Sequence, residues 1–437
     1  MKSTAARGRS TRRPYVICHM VPSLDGRIAA AARPQSWSAV GSLALCVAML
    51  IASEFMPVSL LTPIAADLGA TQGTAGQAIS VSGLFAVVAS LLIPTVAGRF
   101  DSRRVLLTLT GLMLASLLFI ATATSFGMLM GARALLGVAI GGFWALATAT
   151  IMRLVPPGSV ARALGILYSG NAVATAFAAP IGSYVGGLIG WRGVFWALAP
   201  LVLINLAWQW WALPSLPPRA ASSVGKVLGL LTRRHVALAM AAVMLSFAGA
   251  FASFTYFRPF LETYTRVSVP QLSLLLLGLG VAGFAGTYGA TALLGRHLDA
   301  LLCYLPLALG AATMALLAVG HALWGVGAMM VLWGAVNSAI PVCWSAWLAR
   351  GVGDDPESGG GLMVAAIQLA IMLGAAFGGA LLDHVSIAAP FVGGTVLLAL
   401  ASLAVSVGRN SPLAAAATST SEGVTAWQGR RLDGQGD

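Results

Sequence analysis

Between Trp37 and Val407 the apolar residues run in twelve stretches, each close to the roughly 20 residues a helix needs to cross a bilayer and each ended by a short polar break. The stretches fall at about 38–63, 75–97, 105–124, 128–151, 163–187, 193–213, 236–257, 270–294, 301–320, 323–348, 360–382 and 388–407. They predict an all-α membrane protein with twelve transmembrane helices in two six-helix halves, 36–213 and 236–409. What remains is a head at 1–35, a linker at 214–235 and a tail at 410–437. The tail is rich in Ala, Ser, Thr and Gly without periodicity and reads as disordered.

Composition agrees with this. Hydrophobic residues make up 58% and charged residues 9%, which excludes an ordinary soluble chain. The net charge of +12 would point to nucleic acid in a soluble protein, so the placement of the charges decides its meaning. With loops alternating between sides, 21 of the 25 Lys and Arg residues fall on the side of the amino terminus. Arg192, Arg258 and Arg266 fall on the other, and Arg133 lies inside a span. The positive-inside rule then puts both termini in the cytoplasm, and the basic excess is an orientation signal with no nucleic-acid partner behind it.

Several chemistries are set aside by pattern. Cys18, Cys46, Cys303 and Cys343 form no pair at metal or redox spacing and read as small apolar packing residues, so no metal is expected. GLGVAG at 278–283 matches a dinucleotide fingerprint, but it lies in mid-span with no strand before it. No HExxH, GxSxG or GxxxxGK[ST] occurs, which argues against a membrane-embedded hydrolase or an ATP-driven pump. A membrane-embedded enzyme or sensor is the alternative from a different class. The head lacks a signal-peptide core. Its stretch RPYVICHMVPSLDGRI, Arg13 to Ile28, resembles the opening strand and first loop of the dihydrofolate-reductase-like reductases of riboflavin biosynthesis. Sixteen residues cannot make that domain, so the stretch reads as a fusion remnant or an upstream start.

The chain also repeats itself. Displacement by 197 residues brings Gly83 onto Gly280, Gly98 onto Gly295, Asn171 onto Gln368 and Gly182 onto Gly379, and displacement by 200 brings Trp144 onto Trp344. Two parallel halves follow. The fourth span opens LMGARALLGVAIGG, the turn after the second reads GRFDSRR, and the fifth contains NAVATAFAAPIGSYVGG. These resemble, in order, the fourth-span pattern with a buried Arg, the signature loop and the antiporter motif of the major facilitator superfamily, in its drug/proton antiporter-like branch. Ala179 stands where that motif usually has Gly before Pro180. From Ser36 to Arg409 the chain is similar to the bacterial purine ribonucleoside efflux pumps, in EFMPVSLLTPIAADLG, GGFWALATATIMRLVPP, SFAGAFASFTYFRP, PVCWSAWLAR and AAIQLAIMLGAAFGGALLD. The resemblance implies proton-driven export of inosine-like and guanosine-like nucleosides across a bacterial inner membrane, with no cofactor beyond the proton gradient. The protein is read as a monomer in lipid. A broad drug or sugar exporter on the same scaffold is the competing function.

Charges retained at bilayer depth are functional candidates, and Glu54 in the first span and Arg133 in the fourth stand out. At 1.5 Å per residue Glu54 lies about 13 Å before Pro63 and Arg133 roughly 8 Å into its span from the same side, so their depths agree. The repeat-related positions near Phe251 and Trp333 carry no charge. A poorly solvated site favours the neutral form of a carboxylate and a nearby guanidinium the charged form, so a change of access can move a proton. The pair is therefore the expected proton-coupling site. The competing reading is that Glu54 only ties its helix to a neighbour or sits in a wet vestibule.

A neutral nucleoside calls for amides, hydroxyls and aromatic faces. Trp333, Asn337, Pro341 and Trp344 share one face of the tenth span, and Arg133, Gly137, Gly141 and Trp144 one face of the fourth. Trp144, Asn171, Tyr256, Asn337, Trp344 and Gln368 are the candidate substrate contacts, with packing or an interfacial belt as the alternative for each Trp. Trp208, Trp210 and Trp211 read as belt. The turn holding Gly98, Asp101, Arg103 and Arg104 reads as a cytoplasmic latch between the halves, and a purely topological role for its arginines is the alternative. Pro180, Gly182 and Gly186 are the antiporter-motif positions. The pairs Gly137/Gly141, Gly182/Gly186 and Gly374/Gly378 read as close-packing seams on which two bundles slide.

Overall fold

The computed structural model describes residues 36–218, 224–352 and 356–409. The reductase-like head and the tail lie outside the described residues. The helices are α1 (Trp37–Ser59), α2 (Leu61–Asp67), α3 (Gln72–Ala97), α4 (Ser102–Ala121), α5 (Phe126–Leu154), α6 (Val160–Ala212), α7 (Val224–Gly229), α8 (Arg234–Phe254), α9 (Phe257–Phe260), α10 (Val269–Ala318), α11 (Leu323–Gly351), α12 (Pro356–His384) and α13 (Ala389–Arg409). A single π turn, Leu261–Thr265, follows α9. Polar caps start several of them. Thr71 accepts from the Thr74 amide at 3.0 Å, Ser125 from the Met128 amide at 3.3 Å, and Ser268 forms a capping box with Gln271 before α10.

Among the described residues ten helices are long and apolar enough to cross a membrane. Two of them, α6 with 53 residues and α10 with 50, would be roughly 75–80 Å long if straight, far beyond the about 30 Å of a hydrocarbon core. Each turns back on itself. α6 is broken at Gly190, whose φ of 76° only glycine adopts freely, and α10 at His297. Along α6, Gly170 packs on Ala44, Gly182 on Ser59, and Trp208 Nε1 returns to donate to Ser38 Oγ at 2.9 Å. Both ends of α6 thus lie at one level of α1. In the same way Gly320, just past α10, packs against Tyr264, just before it.

Two apolar cores result, one built from α1–α6 and one from α8–α13. Their internal contacts repeat at the displacement seen in the sequence. Gly137 lies on the Ser82 carbonyl as Gly334 lies on that of Leu279; Gly182 meets Ser59 as Gly379 meets Tyr256. Every partner in the second pair is 197 residues from its equivalent. The register corrects one expectation: at 197, Trp144 corresponds to Pro341 and Arg133 to Met330, so Trp144 and Trp344 are not equivalent. The GxxxG pairs also work differently from the expectation. Gly137 and Gly141 sit on Ser82 and Ala86, Gly182 and Gly186 on Ser59 and Leu60, Gly374 and Gly378 on Ala248 and Ala252. All three seams lie within one half. The faces where the halves meet run instead over Gly83, against Gln368 and Met372, and over Gly280, against Ala176.

Candidate functional site

The halves are joined toward the end of the bundle that carries Asp67. Asp383 of α12 accepts from Thr71 Oγ1 at 2.5 Å and from the Gly73 amide at 3.0 Å, so a carboxylate of one half caps the first turn of α3 in the other. Arg258 of α9 donates to the Ser59 carbonyl across the halves while pairing with Glu262 at 2.8 Å. Tyr256 is fully buried against Gly76, Gly378 and Gly379, and its hydroxyl donates to the Ala375 carbonyl at 2.8 Å. Val58 and Ile79 of one half pack with Phe251, Ile371 and Ala375 of the other, and Phe55 meets Phe251 and Phe254 with ring centroids 5.9 Å apart. This corrects the placement of two residues. Tyr256 is a wedge in that closure with no free face for stacking, and Arg258, assigned to a loop, is buried within it.

Glu54 lies just below this closure, nearly buried. Arg133 is 0% exposed and beside it, but the guanidinium does not hold the carboxylate. It donates to the Ser53 carbonyl at 2.9 Å, the Ala78 carbonyl at 2.9 Å, Ser82 Oγ at 2.9 Å and the main-chain carbonyl of Glu54 at 3.4 Å. One of these acceptors exists because of the sequence. Pro57 inside α1 has no N–H, so the Ser53 carbonyl four residues earlier has lost its helical donor and Arg133 replaces it. Arg133 therefore fixes α1, α3 and α5 together and leaves Glu54 its side chain. The carboxylate instead accepts from Gln368 Nε2 of the other half, at 3.4 Å, which corrects the expectation for Gln368: its nearly buried amide meets Glu54 and is not an open solute contact.

The remaining candidates separate. Asn171 on α6 and Asn337 on α11 are half-buried, and their side-chain amides have no hydrogen-bond partner among the described residues. Trp144 is half-buried and stacks on Tyr168 at 5.9 Å and 23°. Trp344 is buried beside Trp347, and Trp333 lies in a ring cluster with Phe254 and Phe257, its Nε1 donating to Thr313. The tenth-span stripe thus leaves Asn337 as its open polar group. Cys46 is not in a purely apolar setting: its Sγ is 3.5 Å from Thr110 Oγ1, which donates to Gln209 Oε1 at 2.8 Å. Cys303 Sγ lies 3.3 Å from Ser406 Oγ.

At the opposite end, Asp101 caps α4. It accepts from the Arg103 amide at 2.8 Å, the Leu216 amide at 2.9 Å and Ser215 Oγ at 2.6 Å. Arg103 donates to the Trp210 carbonyl and lies over the Trp210 ring, and Arg153 reaches the Pro217 carbonyl at 2.8 Å. These contacts bind the start of the linker to its own half. Burial pushes the Asp101 carboxyl up, but these hydrogen bonds and the charge of Arg104 outweigh it and hold it below the usual carboxylate range. Gly98 ends α3 in an ordinary right-handed conformation. Pro180, like Pro57, frees a carbonyl, that of Ala176, and this is the group that abuts Gly280 on the face between the halves.

Residues 43–363 match the Major Facilitator Superfamily. The chain is 41% identical over 369 residues to the purine ribonucleoside efflux pump NepI of Salmonella typhimurium, covering 84% of this chain and 93% of that one. It is 46% identical over 370 residues to the transcription regulatory protein OpdE of Pseudomonas aeruginosa, covering 84% and 92%. Among solved structures it resembles the nucleoside transporter NupG, with a TM-score of 0.71 at 15% identity over 85% of this chain and 100% of that one. A bacterial homolog of the human lysosomal transporter Spinster, in an inward-facing and unoccupied conformation, gives 0.66 at 16% identity over 86% and 96%.

Proposed function

The chain belongs to the major facilitator superfamily, and from that premise we propose that it exports purine ribonucleosides such as inosine and guanosine in exchange for protons, by alternating access. The observation that carries the substrate is the 41% identity across 93% of the Salmonella pump. The reading makes the protein a transporter and not an enzyme, driven by the proton gradient without a cofactor and acting as a monomer in lipid.

In this reading the broken helices α6 and α10 each contribute two spans, the ten become twelve, and the halves hold six each. The basic excess assigns the Asp101 end and both termini to the cytoplasm of a bacterial inner membrane. The Asp67 end is then external and shut, so the site opens inward. A nucleoside entering from the cytoplasm would find the free amides of Asn171 and Asn337 for base and ribose and the Trp144–Tyr168 pair for stacking. Glu54 takes a proton from outside and releases it inside, while Arg133 organises the backbone around it. Asp101 and Arg103 hold the linker against its half, with the charge of Arg104 beside Asp101, and keep the cytoplasmic mouth in register.

The test uses inverted vesicles and labelled inosine. An acid interior should drive uptake that guanosine competes, and Glu54→Gln should abolish uphill uptake while leaving exchange. Absence of an inosine signal with strong dye extrusion would favour a drug exporter on the same scaffold. The name of the Pseudomonas relative supports a second, compatible reading, in which movement of the solute alters transcription indirectly.

A further inference from the structure

We propose that Gln368 is the positioning residue through which the second half senses the charge on Glu54, an inference that rests on the proton-coupling reading above. The amide and the carboxylate stand 314 positions apart in the chain, on α12 and α1, yet both are nearly buried and Gln368 Nε2 donates to Glu54 Oε1 at 3.4 Å. A primary amide suits a partner that changes protonation. It donates through Nε2 to the carboxylate, and turned over it accepts through Oε1 from the O–H of the carboxylic acid. The first bond is charge-assisted and about twice as strong as the second, so arrival of a proton loosens α12 from α1 without breaking the contact.

The placement of Gln368 gives that change a mechanical outlet. Its own carbonyl and the Met372 side chain lie on Gly83, and Ser80 Oγ donates to the Met372 carbonyl at 3.0 Å. The turn of α12 that reads Glu54 is therefore the turn on which α12 and α3 meet. The charge of Arg133 acts on Glu54 from close by, but the hydrogen bonds of the charged groups in this region go elsewhere. Arg133 from α5 is taken up by carbonyls and Ser82, Arg258 from α9 by Ser59 and Glu262, Asp383 at the end of α12 by Thr71 and Gly73, and Arg192 from α6 by Asp67. Arg162 lies far off over Trp37.

The internal repeat supplies a control within the molecule. Displacement by 197 residues turns Gln368 into Asn171 and Glu54 into Phe251. The amide is kept, but its carboxylate partner is not, and Asn171 has no hydrogen-bond partner for its side chain among the described residues. One amide is free for solute and the other is committed to the proton site.

Gln368→Leu, Gln368→Asn, Glu54→Gln and the double variant Glu54→Gln/Gln368→Leu are compared in inverted vesicles, reading inosine exchange without a pH gradient, uptake driven by one, and the pH profile of exchange. Both Gln368 variants should keep the KM for inosine and exchange within about twofold, lose gradient-driven accumulation about tenfold and show a flattened pH profile, and the double variant should be no worse than Glu54→Gln alone. Gln368→Asn, which retains the amide but falls one methylene short, guards against a packing artefact in the Leu variant. A KM raised about tenfold with the gradient response intact would make Gln368 a solute contact and overturn the proposal, as would additive losses in the double variant or loss of exchange at normal membrane levels. Normal accumulation by Glu54→Gln would overturn the coupling reading and this inference together. Normal accumulation by the Gln368 variants alone would overturn only this inference.

Discussion

The two glycines on the faces between the halves, Gly83 and Gly280, are equivalent by the repeat but not by clearance, and substituting each by alanine should have very different effects. A Cβ at Gly83 would meet Met372 Cβ at 3.0 Å and the Gln368 carbonyl at 3.1 Å, contacts that a shift of a few tenths of an ångström between α3 and α12 would relieve. A Cβ at Gly280 would meet backbone: the Ala176 carbonyl oxygen first, then its Cα at 2.6 Å and its carbonyl carbon at 2.7 Å. Overpacking of that kind costs about 1–3 kcal/mol and is borne only by the state in which α10 lies on Ala176, while the gain in helix propensity is common to both states and cancels. Gly83→Ala should thus have the smaller effect, whereas Gly280→Ala should disfavour the state with the Asp67 end shut by about 2 kcal/mol, the middle of that range and roughly thirtyfold in population. The assay is initial inosine uptake by inverted vesicles, beside labelling by an impermeant maleimide of a single cysteine placed at Val269, which packs on Gly187 across the halves. Gly280→Ala should lower uptake by about tenfold and raise labelling from the side of the Asp67 end, and Gly83→Ala should change neither by more than about twofold. Equal effects, or a larger one at Gly83, would refute the claim that backbone contact at Ala176 sets the closed state.

Other expectations follow from the same contacts. Arg133→Lys loses the fork that reaches from α5 to α1 and α3 and leaves buried carbonyls without donors, so the melting temperature in detergent should fall sharply, consistent with a loss of about 3 kcal/mol or more. Asp383→Asn and Thr71→Val should both loosen the cap on α3, at about 1 kcal/mol for the lost Thr side chain, and speed maleimide labelling of a cysteine at Ala75 from outside. Because Asp101 is held below the usual carboxylate range, its contribution to stability is present above that range and disappears as pH falls through the lowered value. The protection factor of the Leu216 amide, its exchange rate relative to the intrinsic rate at the same pH, should therefore be high at pH 7 and fall in strong acid, and in Asp101→Asn it should be lower at pH 7 with the acid dependence removed.

Much of the bundle was legible because bilayer thickness sets span length: the apolar stretches locate the helices to within a few residues at most ends, and the breaks at Gly190 and His297 fall in the polar gaps predicted between spans. Glu54 and Arg133 were visible because charge at depth is rare. What escaped were partners. Gln368 stands out in the sequence as the repeat partner of Asn171 and a candidate solute contact, but that it faces a carboxylate on the other half depends on how α12 lies against α1, which no local spacing reports. Arg258 and Asp383 escaped because each lies near a span end, where a charge is ordinary. The run FTYFRPF held a clue, since Pro259 and the aromatic residues around Arg258 keep the chain packed into the bundle after α8 ends.

Pro57 gives the first helix a joint whose pin belongs to a different helix. The segment from Pro57 to Asp67, the last turn of α1 followed by α2, is a lever of at most roughly 15 Å, and a swing of about 20° at its base, ordinary for a proline kink, carries its tip up to roughly 5 Å. That travel exceeds the reach of every hydrogen bond that shuts the Asp67 end. Since Arg133 already supplies the donor that the proline removed, the lever can swing without any further backbone bond melting, and the stroke of the machine becomes a question of torque on one short arm.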